Sequence, residues 1–322
     1  MQQRPLGRSG LAVSRLALGT MTWGRDTDPD DAAAQLKGFL DAGGNLLDTA
    51  DVYNDGDAEA VVGSLLGDLV PRDEVLIATK AGLRPGTDRR RDTSRAHLLR
   101  TLDASLRRLG TDHVDLWQVH RYDERTPLEE TLSALDAAVA LGKARYVGVS
   151  NFSGWQTARA ATWQAAWPGR APLVAAQVEY SLVERGIERE VVPACAALGL
   201  GVLPWSPLGR GVLTGKYRQG RPADSRAASP VYENFVAPYL EPRRSSIVEA
   251  VVTAAGGLGV APLEVALAWV RDRPGVVAPI LGARTVGQLL GALQVERITL
   301  PAEISRALDD VSAVPLSYPE RD

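Results

Sequence analysis

The sequence predicts an α/β fold: a single (β/α)8 TIM barrel over residues 1–322, with an N-terminal β-hairpin closing its bottom and a long loop after the seventh strand. Three observations predict it. Short apolar or β-branched runs alternate with helical patterns almost from end to end. There are eight such runs, for most of the chain about thirty residues apart. Each run ends in a polar or functional group, and barrels of this kind carry their chemistry at the C-terminal strand ends. Alternating strands and helices imply parallel strands joined by right-handed crossovers. An open doubly wound sheet also fits the alternation, but eight regularly spaced runs suit closure better.

In order, the strand candidates are "RLALGT" (15–20), "NLLDTA" (45–50), "VLIATK" (75–80), "VDLWQVH" (114–120), "ARYVGVSN" (144–151), "VAAQVEY" (174–180), "GVLPWS" (201–206) and "VVAPILGA" (276–283). Helical patterns lie at 30–42, 58–68, 93–109, 127–141, 153–166 and 185–198, then at 244–256, 262–272, 285–294 and 301–313. The 93–109 pattern opens on Thr93 and Ser94, closes at Gly110, and places its leucines mostly on one face. "TPLEE" offers Thr126 as N-cap and Pro127 at the first helical position. "LGRSGLAVSRL" reads as a hairpin turning at "GRSG". Residues 207–243 are rich in Gly, Pro and Arg without periodicity, and too long for a passive connector, so they read as a binding loop or lid.

Composition narrows the function classes. Apolar residues make up 45% and charged residues 23%, ordinary for a soluble protein. A formal net charge of −3 gives no basic field for nucleic acid. The run "DRRRD" (88–92) is short, flanked by acids, and reads as a solvated loop. One cysteine, Cys195, excludes an internal disulfide framework and lies in an apolar helical pattern as a packed thiol. No apolar run is long enough to cross a membrane and the first residues lack a leader's apolar core, so a cytoplasmic location is expected. The three histidines, His97, His113 and His120, make no metal site, and none is expected.

The strand ends carry the chemistry. In order they are Gly19–Thr20, Asp48, Lys80, His120, Ser150–Asn151, Gln177, Trp205–Ser206 and Gly282–Arg284. Asp48 would face Lys80 across neighbouring strands, His120 would close the group, and Tyr53 can bend back over it. A free phenol titrates near pH 10, too high for efficient proton exchange near neutrality. An adjacent ammonium stabilises phenolate and lowers that pKa, while a carboxylate holds the ammonium. A neutral imidazole can donate to a carbonyl oxygen. Together these groups protonate an oxygen as negative charge develops on it, which carbonyl reduction requires, with the hydride supplied by a cofactor. Trp23 in "GTMTWG" is the candidate substrate wall. Trp155, Trp163 and Trp167 recur at near-helical spacing and read as packing residues. "GRGVLTGKY" fails the spacing of a phosphate loop, though Lys216 and Arg210 are cations suited to a pyrophosphate. Asp115 and Glu179 could be a glycosidase pair, but Asp115 opens its strand and so belongs at the barrel bottom.

"LLDTADVY", "IATK", "WQVH", "VGVSNF", "AQVEYS" and "ILGAR" occur in an order and spacing that resembles the aldo-keto reductase superfamily across essentially the whole chain. The resemblance implies a barrel binding NAD(P)H across its upper face and reducing a small-molecule aldehyde or ketone reversibly; NADPH/NADP+ is expected over NADH because Arg284 can make a charge-assisted contact to the 2′-phosphate. It makes Tyr53 the general acid, Lys80 and Asp48 its tuning pair, and His120 the donor that orients the carbonyl; Tyr53 and His120 then also face substrate. It assigns Ser150, Asn151 and Gln177 to the nicotinamide carboxamide and Trp205 to the nicotinamide ring. Gly19, Thr20, Met21 and Asp48 would border the cofactor. Ser206, Leu208, Arg210 and Lys216, in "SPLGRGVLTGKY", resemble the pyrophosphate-covering segment. Gly282, Arg284, Thr285 and Gln288, in "GARTVGQ", resemble the adenosine 2′-phosphate site. Two positions depart from the family pattern: Ala58 stands for a serine and Ala292 for an asparagine. Some relatives are regulatory or scaffold subunits, so a non-catalytic nucleotide-binding role is the alternative.

Overall fold

The computed structural model describes residues 1–230, 232–315 and 318. Strands β1 (Gln3–Pro5) and β2 (Ala12–Ser14) form an antiparallel hairpin. Eight parallel strands follow: β3 (Ala17–Gly19), β4 (Leu46–Asp48), β5 (Leu76–Ala81), β6 (Val114–Val119), β7 (Ala144–Ser150), β8 (Leu173–Glu179), β9 (Gly201–Trp205) and β10 (Ile280–Gly282). They pair in the order β10-β3-β4-β5-β6-β7-β8-β9. The circle is completed by a parallel bridge from Val202 to Val276, where Val277 N donates to Val202 O at 2.9 Å. This is the (β/α)8 barrel the alternation predicts. β10 is shorter than the apolar run 276–283, whose first residues supply that bridge instead.

Helices α1 (Pro29–Asp41), α2 (Asp57–Leu65), α3 (Arg95–Leu109), α4 (Leu128–Ala140), α5 (Gly154–Ala165) and α6 (Val191–Leu198) each return the chain to the next strand. The seventh connection is the long one. It contains short 3-10 turns, the single-turn helix α7 (Glu233–Val236), and then α8 (Ser245–Leu258) and α9 (Pro262–Arg271). Helices α10 (Val286–Leu293) and α11 (Ala302–Val311) finish the described chain.

Local chemistry accounts for these boundaries. Asp28 caps α1 by accepting from Asp31 N at 2.8 Å, with Pro29 at the first position. α3 buries Leu98, Leu102, Leu106 and Leu109 and stops at left-handed Gly110. α4 starts one residue later than expected: Pro127 is the capping residue, and the Thr126 hydroxyl donates to Asp123 instead, at 2.8 Å. The hairpin plugs the bottom, with Leu6, Leu11 and Val13 packing on Leu46, Ala78, Leu116 and Leu203 inside the barrel. Gly7 (φ 58°) makes that seal possible, since a Cβ there would lie 2.5 Å from the carbonyl oxygens of Val174 and Gly199. The α5 tryptophans overturn the packing expectation. Trp155, Trp163 and Trp167 are 56%, 38% and 65% exposed. The inner face of α5 is built from Gly154, Thr157, Ala160 and Ala161, small enough for close approach to the barrel.

Candidate active site

Asp48 ends β4 and Lys80 lies near the end of β5, both buried. Lys80 Nζ donates to Asp48 Oδ2 at 2.8 Å, to Thr49 O at 2.7 Å and to Tyr53 Oη at 3.3 Å. Gln177 Nε2, from β8 across the barrel, donates to Asp48 Oδ1 at 2.7 Å. Both carboxylate oxygens and all three ammonium directions are therefore engaged, which is what makes a buried ion pair tolerable. Tyr53 is presented by a turn in which Asn54 (φ 50°) and Asp55 (φ 55°) are left-handed. That strain is held by Asn54 Nδ2, which donates to Met21 O at 3.1 Å and Trp23 O at 2.7 Å. His120 follows β6, its N donating to Ala81 O at 2.8 Å. Its ring meets the Tyr53 ring edge-on at 6.1 Å, and its Nδ1 is buried without a hydrogen-bond partner.

The electrostatics correct one expectation. Burial raises the Tyr53 phenol above its ordinary value; Lys80 pulls it down and Asp48 pushes it up, and burial wins. The phenol is thus held protonated, the state a proton donor needs. Lys80 is also raised: burial is the largest single influence and opposes its charge, but the Asp48 carboxylate and the Tyr53 hydroxyl together outweigh it. His120 lies well below the usual histidine value, first through burial and then through the Lys80 and Arg121 charges, so it is a neutral imidazole.

These groups open onto a cavity of about 1160 Å³ that runs over the top of the barrel. Asp48, Tyr53, His120, Gly19 and Met21 line it. Ser150, Asn151, Gln177 and Trp205 also line it. Asn151 (φ 55°) is fixed there by its amide, which donates to His120 O at 3.1 Å and accepts from Trp205 Nε1 at 3.0 Å. Ser206, Leu208, Arg210 and Lys216 line it too, as do Gly282, which is paired with Gly19 on the neighbouring strand, Arg284, Gln288 and Ala292.

Four expected residues sit elsewhere or are otherwise occupied. Trp23 is fully buried, packs in the core and donates from Nε1 to Gln35 Oε1 at 3.3 Å, so it cannot be a substrate wall. Thr20 supports rather than lines, its hydroxyl donating to Asp48 O at 3.2 Å. Thr285 caps α10, accepting from Gln288 N at 3.3 Å. Arg210 lines the cavity, but its guanidinium is bidentate to Glu179 at 2.8 and 3.0 Å and stacks over Phe235, so its charge is already matched. That pairing also accounts for Glu179, while Asp115 pairs with Arg72 at 2.7 Å; the two carboxylates do not form a glycosidase site.

Comparison with known proteins agrees with this geometry. The sequence profile described as "Aldo/keto reductase family" matches residues 15–313. The chain belongs to the aldo/keto reductase family. It is 39% identical to the "Uncharacterized oxidoreductase YrpG" of Bacillus subtilis (strain 168), over 97% of this chain and 96% of that one. It is 37% identical to a "Probable voltage-gated potassium channel subunit beta" of Oryza sativa subsp. japonica, over 100% and 98%. It is 33% identical to the "Aldo-keto reductase AFTS1" of Alternaria alternata, over 94% and 90%.

As an aldo/keto reductase the chain departs from the pattern less than Ala58 suggests: that residue is fully buried in α2 and does not line the cavity. Ala292, by contrast, does line it. Two features escaped sequence reasoning. Arg226, in the long connection, lines the cavity and meets no side-chain hydrogen-bond acceptor among the described residues; its one ring contact is with Tyr232. Behind Tyr53, Asp51 is a mostly buried carboxyl whose Oδ1 has no partner. Burial, then the neighbouring Glu59 charge, raise it to about 7. Glu59 is fully buried between Arg108 (2.5 Å) and the Thr79 hydroxyl (2.5 Å). Among the described residues no group of three or more His, Cys, Asp or Glu is placed to hold a metal. No single described helix is long and apolar enough to cross a membrane.

Proposed function

We propose that this aldo/keto reductase reduces an aldehyde or ketone to the alcohol, reversibly, with NADPH as cofactor and Tyr53 as proton donor. The observation that carries the reading is the contact of Tyr53 Oη with Lys80 Nζ at 3.3 Å, beside a neutral His120 at the cavity wall.

The residues present fit a phosphorylated nicotinamide cofactor. The cavity is long and large. At one end Arg226, Arg284 and Lys216 line it, and none of the three is in an ion pair among the described residues. Such cations suit phosphate oxygens. In the middle, Ser150, Asn151 and Gln177 offer donors and acceptors for a carboxamide, with the Trp205 ring beside them. Arg284 and Arg226 would take the 2′-phosphate, and Gln288 would lie near the adenine. When bound, the nicotinamide supplies the hydride that no side chain can deliver.

The chain's own groups do the rest. Neutral His120 and the Tyr53 hydroxyl point two donors at one oxygen and fix the carbonyl. As negative charge grows on that oxygen, Tyr53 Oη gives up its proton. Lys80 Nζ then stabilises the phenolate, and Asp48 keeps the ammonium charged and in place. A second reading also has a specific motive, since relatives named as potassium channel subunits match along the whole chain. In it the protein binds nucleotide and regulates a partner without substantial turnover. NADPH oxidation with 4-nitrobenzaldehyde decides between them. Turnover of at least about 0.1–1 per second, near the lower end of ordinary enzymes, supports the reductase. Tight NADPH binding with no turnover of a broad aldehyde and ketone panel supports the regulatory reading.

A further inference from the structure

The arginine run at 88–92 is not a free solvated loop. Leu83 bridges Arg91 across a small hairpin, and Arg84 N donates to Arg90 O at 2.9 Å. The tip is tied by Thr87, whose hydroxyl donates to Arg84 O and Arg89 O at 2.9 and 3.0 Å. This ordered hairpin forms one side of a second recess of about 360 Å³, lined by Leu83, Pro85, Gly86, Arg90, Arg91 and Arg121. Leu83 and Arg121 line the main cavity as well, so the recess adjoins the catalytic mouth. Arg121 directly follows His120.

The charges there are unbalanced. No carboxylate lines the recess. Two nearby acids are taken: Asp92 accepts from the Ser94 hydroxyl at 2.6 Å and Arg84 at 3.2 Å, and Asp123 from Arg89 at 3.2 Å and Thr126 at 2.8 Å. Asp88, at the hairpin tip, is exposed and does not line the recess. Arg91 spends one nitrogen on Tyr122 O at 3.3 Å. Arg121 makes no hydrogen bond or ion pair among the described residues, and Arg91 stands close enough to repel it: partial burial, then that like charge, lower its pKa. Like charges crowded around a concavity that no carboxylate lines favour an anion between them.

We propose that Arg121, backed by Arg91 and Arg90, binds an oxyanion carried by the substrate, so that the preferred carbonyl compounds bear a carboxylate or phosphate a few bonds from the reacting carbon. The proposal rests on the reductase reading and adds the substrate class. The anion takes no part in the reduction. It anchors the far end of the molecule while Tyr53 and His120 hold the carbonyl oxygen.

The test compares 4-carboxybenzaldehyde and 4-formylphenyl phosphate with the neutral methyl 4-formylbenzoate, all with NADPH. A charge-assisted contact contributes about 1.5–3 kcal/mol, so kcat/KM for at least one anionic aldehyde should exceed that of the ester by roughly tenfold or more. Whichever of the two leads identifies the anion. R121Q should bring that anion-to-ester ratio close to one, chiefly through KM, R91Q should lower it partly, and R306Q on α11 should not change it. An anion-to-ester ratio near one in the wild type, or one that R121Q leaves unchanged, overturns the proposal. If no aldehyde is turned over, the reductase reading fails separately. The recess is then judged by calorimetry with 4-(hydroxymethyl)benzoate and 4-(hydroxymethyl)phenyl phosphate on NADP+-loaded protein. Weaker binding of either by R121Q supports it, and no binding of both, or binding that R121Q leaves unchanged, overturns it.

Discussion

The two ends of the main cavity are built on opposite plans. At the proposed catalytic end, Asp48, Lys80 and Gln177 project from strands whose backbone is fixed by the barrel, and each charge already has its partner inside the protein. At the other end, Lys216, Arg226 and Arg284 come from connections, and their charges have no partner among the described residues. Preorganised dipoles and charges aid chemistry because nothing has to reorganise as the reaction proceeds. Uncommitted cations aid capture, because their hydrogen-bonding capacity is completed only by a ligand. The difference teaches which mutations should alter turnover and which should alter binding.

The sharpest way to break that contrast is Y53F. Losing the proposed general acid should cut turnover by about 10²–10⁴ while leaving NADPH affinity within about twofold; stopped-flow turnover and fluorescence titration measure the two. Near-normal turnover would remove Tyr53 from the chemistry. K80M should also impair turnover and shift the pH–rate optimum, since an uncharged side chain cannot stabilise phenolate, and it should lower stability because Asp48 is left buried and unpaired.

At the cationic end the expected loss is in affinity. R284A and R226A should each weaken NADPH by roughly tenfold to a hundredfold with little change for NADH, the size of one charge-assisted contact. An unchanged NADPH/NADH affinity ratio in both variants would mean that neither arginine meets the 2′-phosphate.

A smaller effect lies behind the catalytic end. Asp51, raised to about 7, keeps its proton in the folded protein at pH values where the unfolded chain has shed it. Wild-type stability should therefore fall as pH rises from about 4 towards 7. D51N should remove that slope and be more stable than wild type at pH 8, by on the order of 1–3 kcal/mol, with the gap closing towards pH 4. Urea unfolding at the two pH values checks the sign. An equal effect at both would show that the carboxyl ionises normally.

The last prediction concerns the long connection. Trypsin should cut after exposed Lys216 rather than after Arg210, which is clamped by Glu179. Saturating NADPH should slow that cut severalfold, because cations of the same segment gain a phosphate partner and open less often. A cut rate indifferent to NADPH would make the segment an ordered surface feature.

The catalytic end was legible in the sequence because barrel geometry converts spacing into position: a polar residue closing an apolar strand must lie at the mouth. That logic placed Asp48, Lys80, His120 and Gln177. It failed for Trp23, four residues beyond its strand, where the chain turns inward and size alone suggested a wall. It failed too for Arg226, since one arginine in a patternless segment carries no periodic signal. The α5 tryptophans misled for a packing reason. Alanine and glycine let a helix sit close to a barrel, so the large rings go outside. The sign of the Tyr53 shift depends on how much water the phenol loses, and only three-dimensional burial determines that.

The distribution of the tryptophans gives the protein a built-in optical partition. Trp23, Trp117 and Trp269 are sealed in the interior, Trp155, Trp163 and Trp167 face solvent on or just beyond α5, and Trp205 lines the cavity. Iodide or acrylamide should therefore dim the outer group while leaving the inner one lit. A ligand in the cavity should dim Trp205 through a separate channel. Emission spectra recorded with and without quencher can then report ligand occupancy and the exposure of α5 independently, in one cuvette and without an added label.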